Sequence, residues 1–324
     1  MKKAILTHLK RGGEVSGEAL GRAAGISRSA VWKHVNELRR EGYVICSTPR
    51  RGYSLMSAPD FLLPEEIGAG LVTRVLGRSV TYCPEVQSTQ DYAKKMAAEG
   101  AVEGTVVVAE RQSEGRGRMG RAWSSPGGGI YFSIILRPAI RPAEAPKIPL
   151  VAGVAVAGAI EQATHLSPRL KWPNDVLIKG KKVAGILAEM GAEMDRLEWI
   201  VVGIGINVNT EQADFPEELA SSATSLRAEG GRTVERVKLL QDILAELEGC
   251  YDEFQRAGFE PFRRRWKEMS DMIGAEVTVT RGDGCEEGLV VDIDEGGGLI
   301  LENVDGRFQK ILSGDVSVRK TRHE

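Results

Sequence analysis

Gln112 to Trp123 reads QSEGRGRMGRAW. Gly115, Gly117 and Gly120 are interleaved here with Arg116, Arg118 and Arg121. Glycine costs roughly 1 kcal/mol in a helix interior, so the stretch predicts a loop rather than a helix or a strand. Such a loop has a free backbone, exposed N–H groups and three guanidinium forks. Converging amides and bidentate arginines suit a carboxylate or a phosphate. By composition alone, a solvated basic linker explains the stretch equally well. Two features favour a binding loop. Apolar runs frame it, Thr105 to Ala109 before and Ile130 to Leu136 after. Trp123 at its end offers a flat face beside the anion-binding groups.

The chain has 324 residues, room for about two or three domains. It is 42% hydrophobic and 27% charged, the balance of a soluble globular protein. No run is expected to reach the roughly 18 apolar residues of a membrane span, so no membrane partner is predicted. The opening MKKAILTHLKRGG is interrupted by Thr7, His8 and Lys10 and lacks a small-residue cleavage site, so it is not read as a signal peptide. Cys46, Cys83, Cys250 and Cys285 form no CxxC pair. That argues against a zinc site or a disulfide framework and for a reducing cytoplasm. Met1 to Ala58 holds eleven Lys/Arg against four Asp/Glu, a balance of +7, and the remainder holds 32 against 41, or −9. A basic head on an acidic body suggests that the head meets a polyanion.

The head reads as helices over 2–10, 17–24 and 28–41, with Gly25-Ile26 as the break and Ser27 as the N-cap of the third. Ile5, Leu6 and Leu9, then Ala19, Leu20 and Ala23, then Ala30, Val31, Val35 and Leu38 are expected inward. The third helix shows Arg28, Ser29, Trp32, Lys33, Asn36 and Arg39 on its other side. Tyr43–Ile45 and Tyr53–Leu55 then flank a tip of Pro49, Arg50, Arg51 and Gly52. This is the pattern of a winged helix-turn-helix, with the third helix set for a major groove and the tip arginines at phosphate height.

A linker with Pro59 and Pro64 follows, and from about Leu62 strands and helices alternate. Val80–Tyr82, Thr105–Glu110, Ile130–Leu136, Val176–Ile178, Val183–Met190 and Trp199–Val208 read as strands. Ser88-Thr89 open a helix to Ala98 with Tyr92, Ala93, Met96 and Ala97 on one face. Leu150–Ala163 and Val234–Phe254 read as further helices. Pro173 bars a central strand where it stands. Gly203 and Gly205 leave space for something to lie against their strand. Residues 210–232 are polar and aperiodic and read as a mobile loop. Beyond Gly274, four short alternating stretches broken by Gly-Asp turns suggest a small β-barrel.

GRGRMGR at 115–121, KWPND at 171–175, KKVAGILAE at 181–189 and GIGINV at 203–208 stand in the order found in biotin protein ligases. With its winged head, the whole chain resembles the bacterial type that is ligase and biotin operon repressor in one. The resemblance implies an α+β fold in three parts. These are a winged helix-turn-helix over 1–60, a mixed-sheet, class II synthetase-like biotin/lipoate ligase domain over 65–268, and an SH3-like β-barrel over 272–320. It also implies a reaction. Biotin and ATP give biotinyl-5′-AMP and diphosphate, and a lysine of a biotin carboxyl carrier protein then takes the biotin. Two anions must be joined, so the site needs fixed cations rather than an acid–base pair.

By this resemblance, Arg118 and Lys182 are the catalytic cations. Lys182 would lie between the biotin carboxylate and the α-phosphate, whereas Lys179 and Lys181 read as solvated lysines of the turn. Ser88, Thr89, Gln90, Gln112, Arg116 and Gly117 would hold biotin, short hydroxyls and amides suiting its ureido head. Arg121, Trp123, Asn174 and Asn207 would meet the nucleotide. Asp175 would hold Mg²⁺, directly or through water. Arg28, Ser29, Trp32, Lys33, Asn36, Arg50 and Arg51 would meet operator DNA. The glycine-arginine loop would be disordered until ligand freezes it, promoting a homodimer. Two alternatives stay open: a lipoate ligase of the same fold, and a biotin-sensing transcription factor without ligase activity.

Overall fold

The computed structural model describes residues 1–49, 51–193, 196–281 and 284–318. Two compact units emerge, Met1–Val72 with Glu235–Gln241, and Thr73–Val234 with Asp242–Glu324.

In the first unit, α1 (Lys2–Lys10), α2 (Gly17–Ala24) and α3 (Arg28–Arg40) precede a hairpin of β1 (Val44–Thr48) and β2 (Gly52–Ser57), and α4 (Pro64–Gly70) follows. The Ser16 and Ser27 hydroxyls accept from the Ala19 and Ala30 amides, capping α2 and α3. Ile5, Leu6, Leu9, Leu20, Val31, Val35 and Leu38 form the core. Two expectations need correcting. Ala23 is exposed, and Gly21 faces in instead, beside the expected Leu20. A Cβ on Gly21 would lie 2.7 Å from the Ile26 carbonyl, so the close approach of α2 is made there. Pro64 is not linker but the first residue of α4, where its missing N–H costs nothing. α4 brings in Glu66, which is buried and bound by Lys10 and the Tyr43 hydroxyl.

The second unit contains β3 (Val80–Cys83), α5 (Thr89–Ala98), β4 (Val106–Ala109), β5 (Ile130–Leu136), α6 (Ile148–Thr164), β6 (Arg169–Lys171), β7 (Asp175–Ile178), β8 (Lys181–Glu193) and β9 (Arg196–Ile206). The strands form one mixed sheet in the order β3-β4-β5-β9-β8-β7-β6, parallel only between β3 and β4. β4 and β5 are buried along their whole length, as near-continuous apolar runs require. Strand alternation sorts their side chains. Val107, Ile135 and Val201 pack on Ala93 and Ala97 of α5. Ile134, Leu136 and Val202 turn to the other face, toward Val151 and Ala152 of α6. Tyr92 was expected on the inner face of α5 but is 43% exposed. The buried stripe of that helix runs Thr89, Gln90, Ala93, Ala97.

The span Pro142–Thr164 corrects the expectation about apolar runs. By length and composition it suffices to cross a membrane, with a mean hydropathy of 1.4 over its best window, yet 67% of that window is buried. It is a core helix, covered by the sheet.

After α7 (Leu226–Gly230) come α8 (Arg236–Ala257) and α9 (Glu260–Glu268). A five-stranded antiparallel sheet closes the unit, with β10 (Glu276–Arg281), β11 (Gly284–Ile293), β12 (Leu299–Glu302), β13 (Phe308–Ile311) and β14 (Asp315–Val318) in the order β13-β12-β11-β10-β14. In α8, the Glu248 carboxylate accepts from the Arg74, Val75 and Leu76 amides at 2.6–2.9 Å. Burial pushes this carboxyl up, but the three amides and the Arg74 charge outweigh it and hold its pKa below the usual glutamate value. A depressed folded pKa gives stability that is full above the unfolded value of about 4.3 and is lost as pH falls through the folded one. Glu248→Ala is expected to cost about 2–3 kcal/mol at neutral pH, since it strands these amides. Glu248→Gln should lose less stability than the native chain between neutral and acidic pH. Urea midpoints across pH test this, and parallel acid profiles for the two proteins would refute it.

Candidate active site

On the α5 face of the sheet, the apolar layer stops where the helix begins. Ser133 of β5, Gly203 and Gly205 of β9 and Gly185 of β8 stand there in place of large side chains, and a cavity of about 240 Å³ lies over them. Its lining gathers every biotin and nucleotide candidate named from sequence: Ser88, Thr89, Gln90, Gln112, Arg116, Gly117, Arg118, Arg121, Trp123, Asn174, Lys182 and Asn207. Asp175, the metal candidate, lines it as well.

One end is lined by a ring of polar side chains. The Thr89 amide and hydroxyl donate to Gln112 Oε1 at 2.8 and 3.1 Å. Gln112 Nε2 donates to Ser125 Oγ at 2.9 Å. Ser133 Oγ lies 3.0 Å from Thr89 Oγ1 and donates to Gln90 Oε1 at 3.1 Å, and Gln90 Nε2 donates to the Val201 carbonyl. Ser88 Oγ caps α5 by accepting from the Asp91 amide. Ser125 and Ser133 belong to this ring and were missed from sequence. A single serine within an apolar strand such as IYFSIIL is the signal that marks Ser133.

The glycine-arginine loop joins β4 to β5. Its backbone is less free than expected. The Gly117 amide donates to Arg121 O at 2.7 Å, Arg121 N to Arg118 O, and Trp123 N to Gly115 O at 2.8 Å. The loop therefore folds on itself as a short hairpin, and its arginine side chains diverge. Arg116 Nε pairs with Asp91 at 3.0 Å. Arg121 pairs with Asp315 at the start of β14. Arg118 turns to the cavity, 3.4 Å from Asn174 Oδ1 and 3.5 Å from the Gly314 carbonyl. Burial draws its pKa below the usual arginine value; Asp315 and Asp175 oppose this and Arg121 adds to it. Arginine stays charged throughout.

Lys182 is a strand residue, not a turn residue. The hairpin turn is Lys179-Gly180, with φ of 49° and 77°, the left-handed pair of a two-residue turn. The Lys182 backbone is held on both sides, its amide donating to Ser222 O at 2.8 Å and its carbonyl accepting from Thr224 N at 3.0 Å. Its ammonium lies 2.6 Å from Asp175 Oδ1 and 5.2 Å from the centre of the Trp123 ring. Trp123 itself lies directly on the sheet, since a Cβ on Gly205 would fall 2.4 Å from its Nε1. Residues 210–232 are not a loose loop. They carry short 3-10 turns and α7, and Phe215, Leu219, Ser222 and Ala223 form a wall of the cavity.

In the first unit, Arg28, Ser29, Lys33 and Trp32 are exposed on α3, Trp32 by 60%. Asn36 is half-buried and accepts from Arg39, which also binds the Ile45 carbonyl and so holds the hairpin rather than facing out. Arg51 lies 3.4 Å from Glu14. Arg50 lies outside the described residues.

Residues 82–207 match the biotin/lipoate A/B protein ligase family, residues 2–54 match an HTH domain, and residues 272–319 match the biotin protein ligase C terminal domain. The bifunctional ligase/repressor BirA of Bacillus subtilis is 43% identical over 305 residues, 94% of each chain. The chain belongs to the biotin protein ligase family. Its Escherichia coli relative, also a bifunctional ligase/repressor BirA, is 32% identical over 97% of this chain and 96% of its own. A solved biotin protein ligase from Aquifex aeolicus, in complex with biotin and ATP, superposes with a TM-score of 0.65 at 35% identity, covering 75% of this chain and all of that one. That family membership accounts for the α+β fold, with an N-terminal HTH domain, a mixed-sheet ligase domain and a β-rich C-terminal domain.

Proposed function

We propose that the protein is an ATP-dependent biotin–[biotin carboxyl-carrier protein] ligase and a biotin-responsive repressor. We divide it at 1–60, 65–268 and 272–320. The observation that carries the ligase reading is the meeting of Arg118 and Lys182, distant in sequence, at one cavity ended by a polar ring. A carboxylate oxygen of biotin attacks the α-phosphorus of ATP, the bond to the bridging oxygen breaks, and diphosphate leaves with the electron pair. Arg118 and Lys182 offset the charge that gathers on the phosphoryl oxygens. Backbone bonds to Ser222 and Thr224 set the point from which the Lys182 side chain reaches the cavity. In the second step a carrier lysine amine attacks the acyl carbonyl and AMP departs.

The ring of Thr89, Gln112, Gln90 and Ser133 offers donors and acceptors to a ureido head. An apolar dithiolane uses none of these groups, which favours biotin over lipoate. Trp123, Asn207 and the wall at Phe215 serve the nucleotide. The residues present fit Mg²⁺. Asp175 and Asp315 supply hard oxygens at the cavity, and among the described residues no cluster of three His, Cys, Asp or Glu side chains forms a cage. That suits an ion which keeps waters and takes phosphate oxygens. When bound it would offset triphosphate charge. Labelled biotin, ATP and an acetyl-CoA carboxylase carrier domain test the reading. Transfer to one lysine, with AMP and diphosphate formed, is expected. No ATP turnover would leave a sensor, and preference for lipoate would leave the rival ligase.

The exposed face of α3 and the +7 charge of the first 58 residues support operator binding. Lys33→Ala is expected to lower the slope of log affinity against log salt by about one. An unchanged slope in a gel-shift series would remove Lys33 from the interface. We place the protein in the cytoplasm, its described cysteines being free thiols. Biotinyl-AMP is expected to order the loop further and to drive homodimerisation through a sheet edge, joining two winged domains on one palindrome. Sedimentation that is identical with and without biotin plus ATP would refute the linkage.

A further inference from the structure

Past Glu114 the glycine-arginine loop is fastened to the rest of its unit by side chains. Up to that residue the backbone is stitched to the segment before α5, Ser113 N donating to Val86 O at 3.0 Å and Glu114 N to Gln87 O at 2.8 Å. From Gly115 to Trp123 the described backbone–backbone bonds are internal to the loop. Arg121 reaches Asp315, and Arg118 faces the cavity. At the biotin end the fastening is Arg116 Nε on Asp91 Oδ2, at 3.0 Å. Asp91 stands in the first turn of α5, directly after Thr89 and Gln90 of the polar ring. Its other oxygen takes Lys94 at 3.1 Å, and Lys94 also pairs with Glu189 of β8 at 2.8 Å. Charges thus alternate along Arg116, Asp91, Lys94 and Glu189, from the loop across α5 to β8. Burial draws the Lys94 pKa down, but the two carboxylates outweigh it and hold it above the usual lysine value. The remaining Glu189 oxygen, Oε2, is buried without a hydrogen-bond partner. Loss of Lys94 would leave that carboxylate uncompensated, so the lysine is kept in place.

We infer that Asp91 is a positioning residue, latching the glycine-arginine loop to α5 through Arg116, and that this latch sets how long biotinyl-AMP stays bound. The inference rests on the ligase reading above. Arg116, Gly117 and Arg118 line two cavities, the one of about 240 Å³ and a neighbour of about 500 Å³ that Glu189 and Met190 also bound. The loop is the partition between them. If the partition swings away, the two cavities join, and the mixed anhydride is free to leave or to meet water. Asp91 lines neither cavity, so it acts through Arg116 and not on substrate. Bond making stays with Arg118 and Lys182. The Arg116 and Asp91 side chains are 53% and 37% exposed. Such a pair is weak and screened by salt, which suits a fastening that must open and close in each turnover. From its first turn Asp91 also complements the dipole of α5, a purely structural role that predicts different results.

The test measures release and formation separately. Protein loaded with radiolabelled biotinyl-AMP is chased with an excess of the unlabelled compound. Asp91→Asn is expected to speed release roughly three- to fivefold, near the upper end for a partly exposed ion pair. Asp91→Glu should stay within about twofold of native, since it keeps the charge. Raising salt from about 0.05 to 0.5 M should speed native release and leave Asp91→Asn unmoved. Arg116→Met should release as fast as Asp91→Asn, and the double variant no faster than either. Single-turnover formation of biotinyl-AMP at saturating biotin and ATP should keep its rate in Asp91→Asn, which also reports that the variant is folded. Native release from Asp91→Asn overturns the latch. So do additive effects in the double variant, or a formation rate that falls as far as release rises, which would make Asp91 a support of the site as a whole. If native protein holds biotinyl-AMP and Asp91→Asn holds it equally well, the ligase reading stands and the latch alone falls. Native protein that neither forms nor binds biotinyl-AMP would overturn both.

Discussion

Lys182→Ala should slow the formation of biotinyl-AMP by roughly 100- to 1000-fold, the cost of removing one preorganised charge from a developing oxyanion. The reason lies in how the residue is held. Its amide and carbonyl are bound to Ser222 and Thr224 on a neighbouring segment, so its position is set before any substrate arrives. Its ammonium is 2.6 Å from Asp175, an exchangeable partner at the cavity edge. A second effect adds to the first. Without the lysine, Asp175 stands as an uncompensated carboxylate where a triphosphate must approach, and like charges repel. Lys182→Arg keeps the charge but not the compact head, so partial recovery is expected. Single-turnover formation of AMP-anhydride from biotin and ATP is the measurement. A rate for Lys182→Ala within twofold of native would end the two-cation account.

Much of the site was legible because its chemistry is concentrated in short stretches. Arg118 stands in a segment that makes no sense as helix or as plain strand, Lys182 follows a Lys-Gly turn at the start of a strand, and both do meet at one cavity. Ser88 was legible as the cap of α5, and the same position at the helix start puts it on the cavity wall. The misses have physical causes. Residues 210–232 looked loose because Phe215, Leu219, Ala223 and Leu226 are few among polar residues and are interrupted by Pro216 and Gly230-Gly231. The stretch is ordered instead as successive short turns, too brief for a periodic signal to build up. α9 went unseen because only Phe262 and Trp266 face inward among its charged residues. β14 is four residues long, and its value lies in Asp315, whose partner Arg121 is far away in sequence. The loop amides were expected to be free, whereas a chain this rich in glycine turns back and satisfies its own N–H groups. Ion pairs such as Arg116–Asp91 depend on two segments meeting in space, and neither segment announces the other.

Gly203→Ala should weaken biotin binding roughly 10- to 100-fold and lower folding stability by about 1–3 kcal/mol, the usual cost of overpacking. A Cβ at this position would lie 2.4 Å from Gln90 Oε1 and 3.3 Å from Ser133 Oγ. Gln90 has little freedom to retreat, because it is 3% exposed and its Nε2 is bound to the Val201 carbonyl. If it swings away, Ser133 loses its acceptor. Thr89 Oγ1 lies 3.0 Å from Ser133 Oγ and donates to Gln112 Oε1, so one methyl group disturbs the whole ring. Gly158→Ala in α6 is the matched control. Its Cβ meets nothing within 4 Å, and the exchange should stabilise the helix by about 0.5–1 kcal/mol. Calorimetric titration with biotin and thermal unfolding of both variants separate the two effects. Native biotin affinity in Gly203→Ala would mean that the ureido head is held elsewhere, and the polar ring would then be ordinary core hydrogen bonding at the start of α5.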